Sequence, residues 1–271
     1  MKIDIGIIGG SGLCQFPELN VIKRIKLHTK YGWPSDEIVI GAYRDKKVAF
    51  LPRHGRQHSI PPHKIPYKAN LSALKSLGVK QVVATAISGS LKKSIKPGDF
   101  VILDQFVNLT WGRDDYFEID KKFIHLPMAD PYCPRLNRAI YDIAKSMNIP
   151  IHKKGTVAVI QGPRFSTRSE SRFFSKQKWD VVNMTQYPEC YLAREMGICY
   201  STIAMVTDYD AGIKKKGLSM EKKNMERIFT IFNGDIKQAK QLILKLIDHL
   251  PIEGTCACAE SWLDPYYIKH L

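Results

Sequence analysis

The chain has 271 residues, of which 44% are hydrophobic, and its formal net charge is +15. This length allows one large domain with a sizeable buried core, or two small domains. No apolar run reaches the roughly 20 residues that a membrane-spanning helix needs, which excludes an integral helical membrane protein. The N-terminal stretch contains Asp4 and enters a glycine-rich turn, unlike a secretory signal, so we expect a cytoplasmic protein.

Hydrophobic periodicity predicts strands that alternate with helices along the chain. The predicted strands are 3–9, 37–42, 47–52, 81–87, 100–103, 156–160, 181–182 and 199–206. The predicted helices are 68–77, 135–147, 169–177, 189–196 and 235–249. Segments 37–42 and 47–52 predict a hairpin, and residues 88–90 predict a turn. We therefore expect an α/β fold with helices on both faces of a sheet, and the lack of a linker or repeat favours one domain.

The positive charge has two explanations. A basic surface could bind nucleic acid, or the lysines could form a solvated coat that also attracts an anionic substrate. The lysines occur in short scattered groups, and no helix-turn-helix, zinc-finger or RNA-binding pattern accompanies them. We therefore expect no nucleic-acid partner and no membrane partner, and keep a nucleic-acid-binding protein as an alternative.

Cysteine spacing gives a second set of alternatives. The six cysteines are Cys14, Cys133, Cys190, Cys199, Cys256 and Cys258. Only the last two are close in sequence, whereas a zinc site usually uses two pairs with wider gaps, so the spacing argues against a metal. Reduced thiols are the default in the cytosol, although hyperthermophiles form disulfides there. Disulfides thus stay open, and a redox protein that uses the close pair lacks the βαβ context it would need.

Residues that could bind an anion follow two of the predicted strands. In open α/β sheets, ligands gather at the carboxyl ends of the strands. Residues 9–12 (GGSG) would expose backbone N–H groups and the Ser11 hydroxyl, without the fingerprint and helix start of a dinucleotide site. Arg53 and His54 could both donate to a phosphate, the arginine in a bidentate manner. A structural turn and a solvated basic loop are the less favoured alternatives for these two segments.

Other candidates follow later strands. Phe165 could stack on a planar ring or belong to the core. Asn183 follows the strand at 181–182. Asp208 and Asp210 stand two residues apart after another strand, where they could converge on one ligand, although a solvated loop would also explain Asp210 by itself.

Together these segments resemble the 5′-methylthioadenosine phosphorylase branch of the trimeric purine nucleoside phosphorylases. The matching segments are 5–13 (IGIIGGSGL), 51–58 (LPRHGRQH), 162–171 (GPRFSTRSES), 183–189 (NMTQYPE) and 203–210 (IAMVTDYD). They occur in the order found in the family and extend to about residue 210, while the last 60 residues match loosely.

The resemblance implies one nucleoside phosphorylase domain over 1–271, with a mixed, partly barrel-like sheet flanked by helices. It implies a homotrimer, or a dimer of trimers. In the implied reaction, phosphate attacks C1′ of a purine nucleoside and gives a free purine and a 1-phosphosugar with inversion. No metal and no organic cofactor take part, and the pathway would be purine and methionine salvage.

The resemblance also implies residue roles. The phosphate-binding residues would be Ser11, Arg53, His54, Ala86 and Thr185. The nucleoside-binding residues would be Ile87, Phe165, Asn183, Met184, Asp208, Asp210, Leu218 and Met220, with Ser166 and Met220 affecting specificity. Asp208 would be the catalytic acid at purine N7. The transition state resembles an oxocarbenium ion, so this acid must be protonated near neutral pH, which a dry pocket and a neighbouring acid favour.

The residues that face the purine and the 5′ group decide the expected substrate. An ionised Asp210 can accept from a 6-amino group, whereas a 6-oxopurine would place oxygen against oxygen. Apolar Leu218 and Met220 suit a methylthio group, so 5′-methylthioadenosine is expected. However, 211–217 is unusually basic and 186–187 (QY) replaces smaller residues. The alternative is therefore a broad-specificity or 6-oxopurine nucleoside phosphorylase that acts on inosine, guanosine or adenosine.

Overall fold

The computed structural model describes residues 2–13, 15–117, 125–213, 222–252 and 254–259, without the side chains of 222–229. The strands are β1 Ile5–Gly9, β2 Asn20–Ile25, β3 Ile38–Tyr43, β4 Lys46–Pro52, β5 Gln81–Ser90, β6 Phe100–Ile102, β7 Gln105–Leu109, β8 Ile151–His152, β9 Thr156–Ile160, β10 Val181–Asn183 and β11 Cys199–Tyr209. The helices are α1 Tyr67–Ser76, α2 Pro134–Ser146, α3 Arg168–Lys176, α4 Gln186–Glu195 and α5 Lys222–Asp248, with a 3-10 turn at Pro62–Lys64.

Eleven strands in the described part of the chain form one mixed sheet. Its main path runs β2-β3-β4-β1-β5-β10-β9-β7, while β11 pairs with β5 and β6, and β8 pairs with β6. The long strand β5 has three neighbours, because β11 occupies one of its edges and two strands share the other. β1 pairs in parallel with 82–84 of β5, and β10 pairs antiparallel with 89–90. The sheet therefore branches near the end of β5.

Side chains of the central strands alternate between two apolar cores, one on each face of the sheet. In β1, Ile8 packs into a core that includes Leu71 of α1 and Leu192 of α4. Its neighbour Ile7 packs into a second core that includes Leu242 of α5 and several α2 side chains. Each fully buried aliphatic side chain stabilises the fold by roughly 1.5–3 kcal/mol. Burial on both faces explains why β1 reads as a continuous apolar run.

A capping box fixes the start of α3, directly after Ser166. The Thr167 side chain accepts a hydrogen bond from the Glu170 backbone N–H, and the Glu170 carboxylate accepts from the Thr167 N–H. Such a cap typically contributes about 1 kcal/mol. It sets the conformation of the loop that joins β9 to α3, and this loop carries two of the predicted site residues.

The predicted α/β class, with a mixed sheet flanked by helices, is confirmed. The hairpin is β3–β4, and Arg44 in its turn has a φ of 53°. All five predicted helices are present, although α5 begins earlier, at Lys222. The division into a single domain over 1–271 stays a prediction. None of the described helices, including the 27-residue α5, combines the length and hydropathy that a bilayer crossing requires.

Two predictions near the site are wrong. Residues 88–90 are not a turn but the last part of β5, because Gly89 and Ser90 pair with both β10 and β11. Similarly, β11 does not end at Val206 but continues to Tyr209. Strands β2, β7 and β8 were not predicted. β2 is exposed along almost its whole length, so its sequence lacks the alternation of a half-buried strand.

Candidate active site

The predicted site residues lie where β1, β4, β5, β10 and β11 approach one another. β1 is parallel to β4 and β5, and β5 is parallel to β11, so the carboxyl ends of these strands share one end of the sheet. β10 runs antiparallel to β5 with Val182 opposite Gly89, and this register carries Asn183 back along β5. The structure brings to this end of the sheet Ser11, Arg53, His54, Ala86, Ile87, Asn183, Asp208 and Asp210.

The turn after β1 is held tightly against β4 and β5. The Gly10 N–H donates to Thr85 Oγ1 at 3.1 Å. A Cβ at Gly10 would lie 2.5 Å from Thr85 O and 2.9 Å from Arg53 Nη1, so only glycine allows this approach. Ser11 follows in the turn and is half-buried. The sequence therefore located the turn correctly, and its use for phosphate stays a prediction.

Arg53 is fully buried and paired within the protein. Its Nε and Nη2 donate to the two carboxylate oxygens of Glu189 at 2.6 Å and 2.7 Å, and its Nη1 donates to Thr85 O at 2.8 Å. Burial lowers the pKa of Arg53, but the Glu189 carboxylate raises it further, so the guanidinium stays charged. The edge of the guanidinium that could bind phosphate through two hydrogen bonds is therefore occupied by Glu189. A phosphate contact by Arg53 remains a prediction, and it would fall to Nη1, the nitrogen nearest Gly10.

His54 is buried and neutral in this environment. Burial and the charge of Arg53 lower the pKa of His54 to about 4. Its Nδ1 lies 2.8 Å from Ile60 O, so Nδ1 carries the proton and donates to this carbonyl. Neutral His54 thus presents Nε2 as an acceptor, and the predicted donation to phosphate requires a second proton. A phosphate dianion beside the ring would favour that protonation.

Asp208 and Asp210 converge on Gly89 of β5. The β11–β5 register shifts between Val206 and Asp208, and this irregularity places Asp208 opposite Gly89. A Cβ at Gly89 would lie 3.5 Å from the Cβ of Asp210. Asp208 Oδ1 accepts from Thr207 Oγ1 at 2.9 Å, while Asp210 Oδ1 accepts from Ser166 Oγ at 3.1 Å. The structure therefore brings the two acids together, as the sequence suggested, and adds Ser166.

The electrostatics of this pair suit an acid that holds a proton. Burial raises the pKa of the Asp208 carboxyl to about 6, and the charge of Asp210 adds to this rise, while the hydrogen bond from Thr207 opposes it. Asp210 itself is only 4% exposed, so the solvated-loop alternative for this residue is wrong. The two carboxyls thus have different surroundings, which is the condition for different roles.

Several buried polar atoms around β5 lack an internal partner. Within the described residues, no hydrogen bond reaches Asp210 Oδ2, Asn183 Nδ2 or Ser88 Oγ. An unsatisfied buried polar group costs about 1–3 kcal/mol, so such groups are rare unless a ligand or water completes them. The Asp210 oxygen can accept a hydrogen bond, the Asn183 amide nitrogen can donate one, and the Ser88 hydroxyl can do either. This combination fits a polar, planar ligand such as a purine.

Met184 and Thr185 lie where β10 meets α4. Gly162 has a φ of 66°, and a Cβ there would lie 2.7 Å from Met184 Sδ, so the loop after β9 packs directly on this methionine. Thr185 is buried at the start of α4, and its backbone N–H donates to Asn183 Oδ1 at 3.4 Å. Its hydroxyl does not cap the helix. The phosphate contact of this hydroxyl stays a prediction.

Arg113 is a residue near the site that the sequence did not reveal. It follows β7, and its Nη2 donates to Gln161 O at 3.0 Å and to Met184 O at 2.9 Å. Its Nη1 donates to Tyr187 O. One guanidinium thus joins the loop after β9 to the start of α4, which fixes the position of Met184. No motif surrounds Arg113, and only its basic character could have signalled it.

The other predicted site residues have different outcomes. Phe165 is 70% exposed on the surface of the chain, so its core alternative is wrong. Leu218 and Met220 lie outside the described residues, and the 5′ pocket assigned to them stays a prediction. Gln186, a suspected departure near the site, is fully buried and accepts from Thr202 Oγ1 at 2.8 Å.

Comparisons with known proteins agree with this geometry. The model of the phosphorylase superfamily matches residues 4–244. The S-methyl-5′-thioadenosine phosphorylase of Saccharolobus solfataricus is 46% identical over 264 residues, covering 96% of each chain. The enzyme of the same name from Nitrosopumilus maritimus is 41% identical over 259 residues, again covering 96% of each chain.

Solved structures give the same relationship. The methylthioadenosine phosphorylase from Schistosoma mansoni in complex with adenine has a TM-score of 0.88 at 32% identity, covering 99% of this chain and 98% of that one. A mutant of the adenosine/methylthioadenosine phosphorylase from that organism, in complex with methylthioadenosine, has a TM-score of 0.86 at 32% identity with the same coverage. The chain therefore belongs to the phosphorylase superfamily, and within it to the family of the S-methyl-5′-thioadenosine phosphorylases.

Proposed function

We propose that this chain is a pentosyltransferase that cleaves S-methyl-5′-thioadenosine with phosphate, giving adenine and 5-methylthioribose 1-phosphate. The observation that carries the proposal is the pair of acids at the end of β11. Asp208 has a raised pKa, and Asp210 holds one buried carboxylate oxygen without a partner in the described part of the chain. A purine needs an acid at N7 and, when it is adenine, an acceptor for its 6-amino group.

The hydrogen bonds of Asp210 support adenine over a 6-oxopurine. Ser166 already donates to Oδ1, so Oδ2 is the atom left for a ligand. A carboxylate oxygen only accepts, and an amino group satisfies it with an N–H. A 6-oxo group would set two acceptors against each other, and such a mismatch is strongly rejected.

In the reaction that we propose, a phosphate oxygen forms a bond to C1′ while the bond from C1′ to N9 of adenine breaks. The electron pair of that bond passes into the purine ring, and N7 takes the proton held by Asp208. Adenine leaves as a neutral base, and Asp208 regains its proton from solvent. Ser11, Thr185, the Ala86 backbone, Arg53 and His54 are the proposed phosphate contacts, and phosphate is a co-substrate rather than a cofactor.

Assembly and location complete the proposal. We infer a homotrimer, or a dimer of trimers, in the cytoplasm, acting in methionine and purine salvage without an organic cofactor or a catalytic metal. Exposed aromatic side chains on neighbouring loops support the assembly: Phe165 is 70% exposed and Trp111 is 65% exposed, and Gln161 hydrogen-bonds to the Trp111 backbone. Contiguous exposed apolar groups, unlike isolated ones, often mark an interface.

The test is a comparison of substrates with the purified protein. Methylthioadenosine, adenosine and inosine are each incubated with and without phosphate, and free base and sugar 1-phosphate are separated and quantified. We expect phosphate-dependent release of adenine from methylthioadenosine at the highest kcat/KM. Preference for inosine would instead favour the 6-oxopurine alternative and overturn the role of Asp210. Base release without phosphate would reject phosphorolysis altogether.

A further inference from the structure

Four cysteines meet at the end of β11 opposite to Asp208. Cys199 is the first residue of β11, Cys133 precedes α2, and Cys256 and Cys258 follow α5. Their Sγ atoms all lie within 4.8 Å of one another, and three of the four residues are buried. The ligand atoms thus come from three segments that are far apart in sequence, which is why the spacing of the cysteines argued against a metal.

The arrangement of the four sulfur atoms fits a tetrahedral metal site. With zinc–sulfur bonds of about 2.3 Å, neighbouring sulfur atoms of a tetrahedron lie about 3.8 Å apart. The Sγ atoms of Cys199 and Cys256 are 3.4 Å apart, close to this edge length. A disulfide would hold two sulfur atoms about 2.05 Å apart, whereas all four of these cysteines are free thiols in the structure.

The surroundings supply the positive potential that four thiolates need. Arg135 Nη2 donates to Cys199 Sγ at 3.7 Å, and its Nη1 donates to Ile252 O at 2.9 Å. Cys133 occupies the N-cap position of α2, where the helix dipole favours negative charge. Zinc bound by four cysteinates carries a net charge of −2, and an arginine at the sulfur is the kind of outer partner that stabilises such a site.

The chemistry of the site indicates its class of metal and its role. Four soft thiolates in a tetrahedron select zinc among the common divalent ions, and a site filled by four protein ligands leaves no position for a substrate. The cluster lies at the opposite end of an 11-residue strand from Asp208, so it has no direct part in catalysis.

We propose that Cys133, Cys199, Cys256 and Cys258 bind one zinc ion in a closed structural site. The ion cross-links the segment after α5 to the starts of α2 and β11. In the described part of this segment, Leu250 packs into the core that contains α2 side chains, and Ile252 packs beside Cys133 and Leu136. Metal binding would add to this stabilisation, because a structural site forms only in the folded chain.

The first test measures metal content. The protein is purified under reducing conditions with zinc present during expression, and bound metals are quantified by mass spectrometry. We expect one zinc per chain, loss of zinc in Cys256→Ser, and its retention in Cys256→His, because histidine is also a zinc ligand. Cys190→Ser is the matched control, since Cys190 is a buried cysteine outside the cluster, and this variant should keep its zinc.

A spectroscopic test covers variants that fail to fold. The unsubstituted protein is stripped with a chelator and titrated with cobalt, and a tetrahedral four-thiolate site would give thiolate-to-cobalt charge-transfer and intense d–d bands. Zinc should displace the cobalt and raise Tm, without altering kcat below the unfolding temperature. Protein without metal whose peptide map shows these cysteines joined in disulfides would overturn the proposal, and so would a cobalt spectrum without thiolate bands.

Discussion

The two ends of β11 differ in whether their buried polar groups have partners within the protein. At its amino end, Cys199 lies among three other thiols and accepts a hydrogen bond from Arg135. At its carboxyl end, Asp208 has a raised pKa, and Asp210 Oδ2 has no partner in the described structure. At the amino end, the four thiols can all bind one metal ion. At the carboxyl end, a buried polar atom stays without a hydrogen bond until a ligand binds, which lowers the stability of the free protein but favours ligand recognition.

Replacing Asp208 with Asn tests the carboxyl end and should have the largest effect. Asparagine can still accept from Thr207 Oγ1 but has no proton to give N7, so we expect kcat to fall roughly 10²–10⁴-fold. Because the pKa of Asp208 is raised to about 6, the folded state loses up to about 3 kcal/mol of stability as pH rises through that value. The variant should therefore be at least as stable at pH 8.

Steady-state kinetics and thermal unfolding measure the two quantities for Asp208→Asn. Cys256→Ser is the matched control at the other end of the strand, and we expect the reverse result from it: a lower Tm and an unchanged kcat. A parallel loss of kcat and Tm in Asp208→Asn would contradict the assignment, because it would indicate general damage to the fold.

Replacing Glu189 with Gln tests a third arrangement, a buried charge that is fully paired. Without the carboxylate, Arg53 would remain buried and charged, so we expect the free energy of unfolding to fall by about 3–5 kcal/mol. Asp142→Asn breaks an exposed ion pair with Arg138 and should cost at most about 1 kcal/mol. Urea unfolding of the two variants checks the contrast, and equal costs would contradict it.

Replacing Asp210 with Asn tests how the carboxyl end of β11 recognises the purine base. The amide can present a donor where the carboxylate presents only an acceptor, so the mismatch with a 6-oxopurine is relieved. We expect the ratio of kcat/KM for methylthioadenosine to that for inosine to fall by about 10–100-fold. Asp142→Asn is the control, since it makes the same side-chain change in an exposed ion pair and should leave the ratio unchanged. An unchanged ratio in Asp210→Asn would remove this residue from base recognition.

The dependence of rate on pH gives the smallest effect. Protonated Asp208 is the active form, and its pKa is about 6 in the protein without ligand. We therefore expect kcat/KM to decline as pH rises above about 6, by up to about tenfold per pH unit. Asp208→Asn should flatten this limb. A rate that instead rises through the same range would assign Asp208 as a base.

The sequence predicted elements whose burial is regular. The hairpin β3–β4 and all five helices follow from alternation or helical spacing, and the glycine turn after β1 follows from its composition. Strand β2 was missed because it is exposed, and the end of β5 because Ser-Gly-Ser is typical of turns. In that strand, pairing on both edges outweighs local propensity.

The candidate site was predictable only in part. Its segments lie in order along the chain and could be recognised one by one. However, the ion pair of Arg53 with Glu189 joins residues 136 positions apart, and the contacts of Arg113 reach 71 positions to Met184. The four cysteines likewise meet only through the fold. No local pattern encodes such contacts, because tertiary packing alone determines which distant side chains become neighbours.

The burial of Arg53 and Glu189 makes their ion pair insensitive to the ionic strength of the solution. The charge of Arg53 lies under the turn at Gly10, closed off from solvent and held by Glu189. Mobile ions screen exposed charges over about 8–10 Å but reach a buried group far less. Added salt would therefore weaken this ion pair less than it weakens the attraction of anions to exposed lysines.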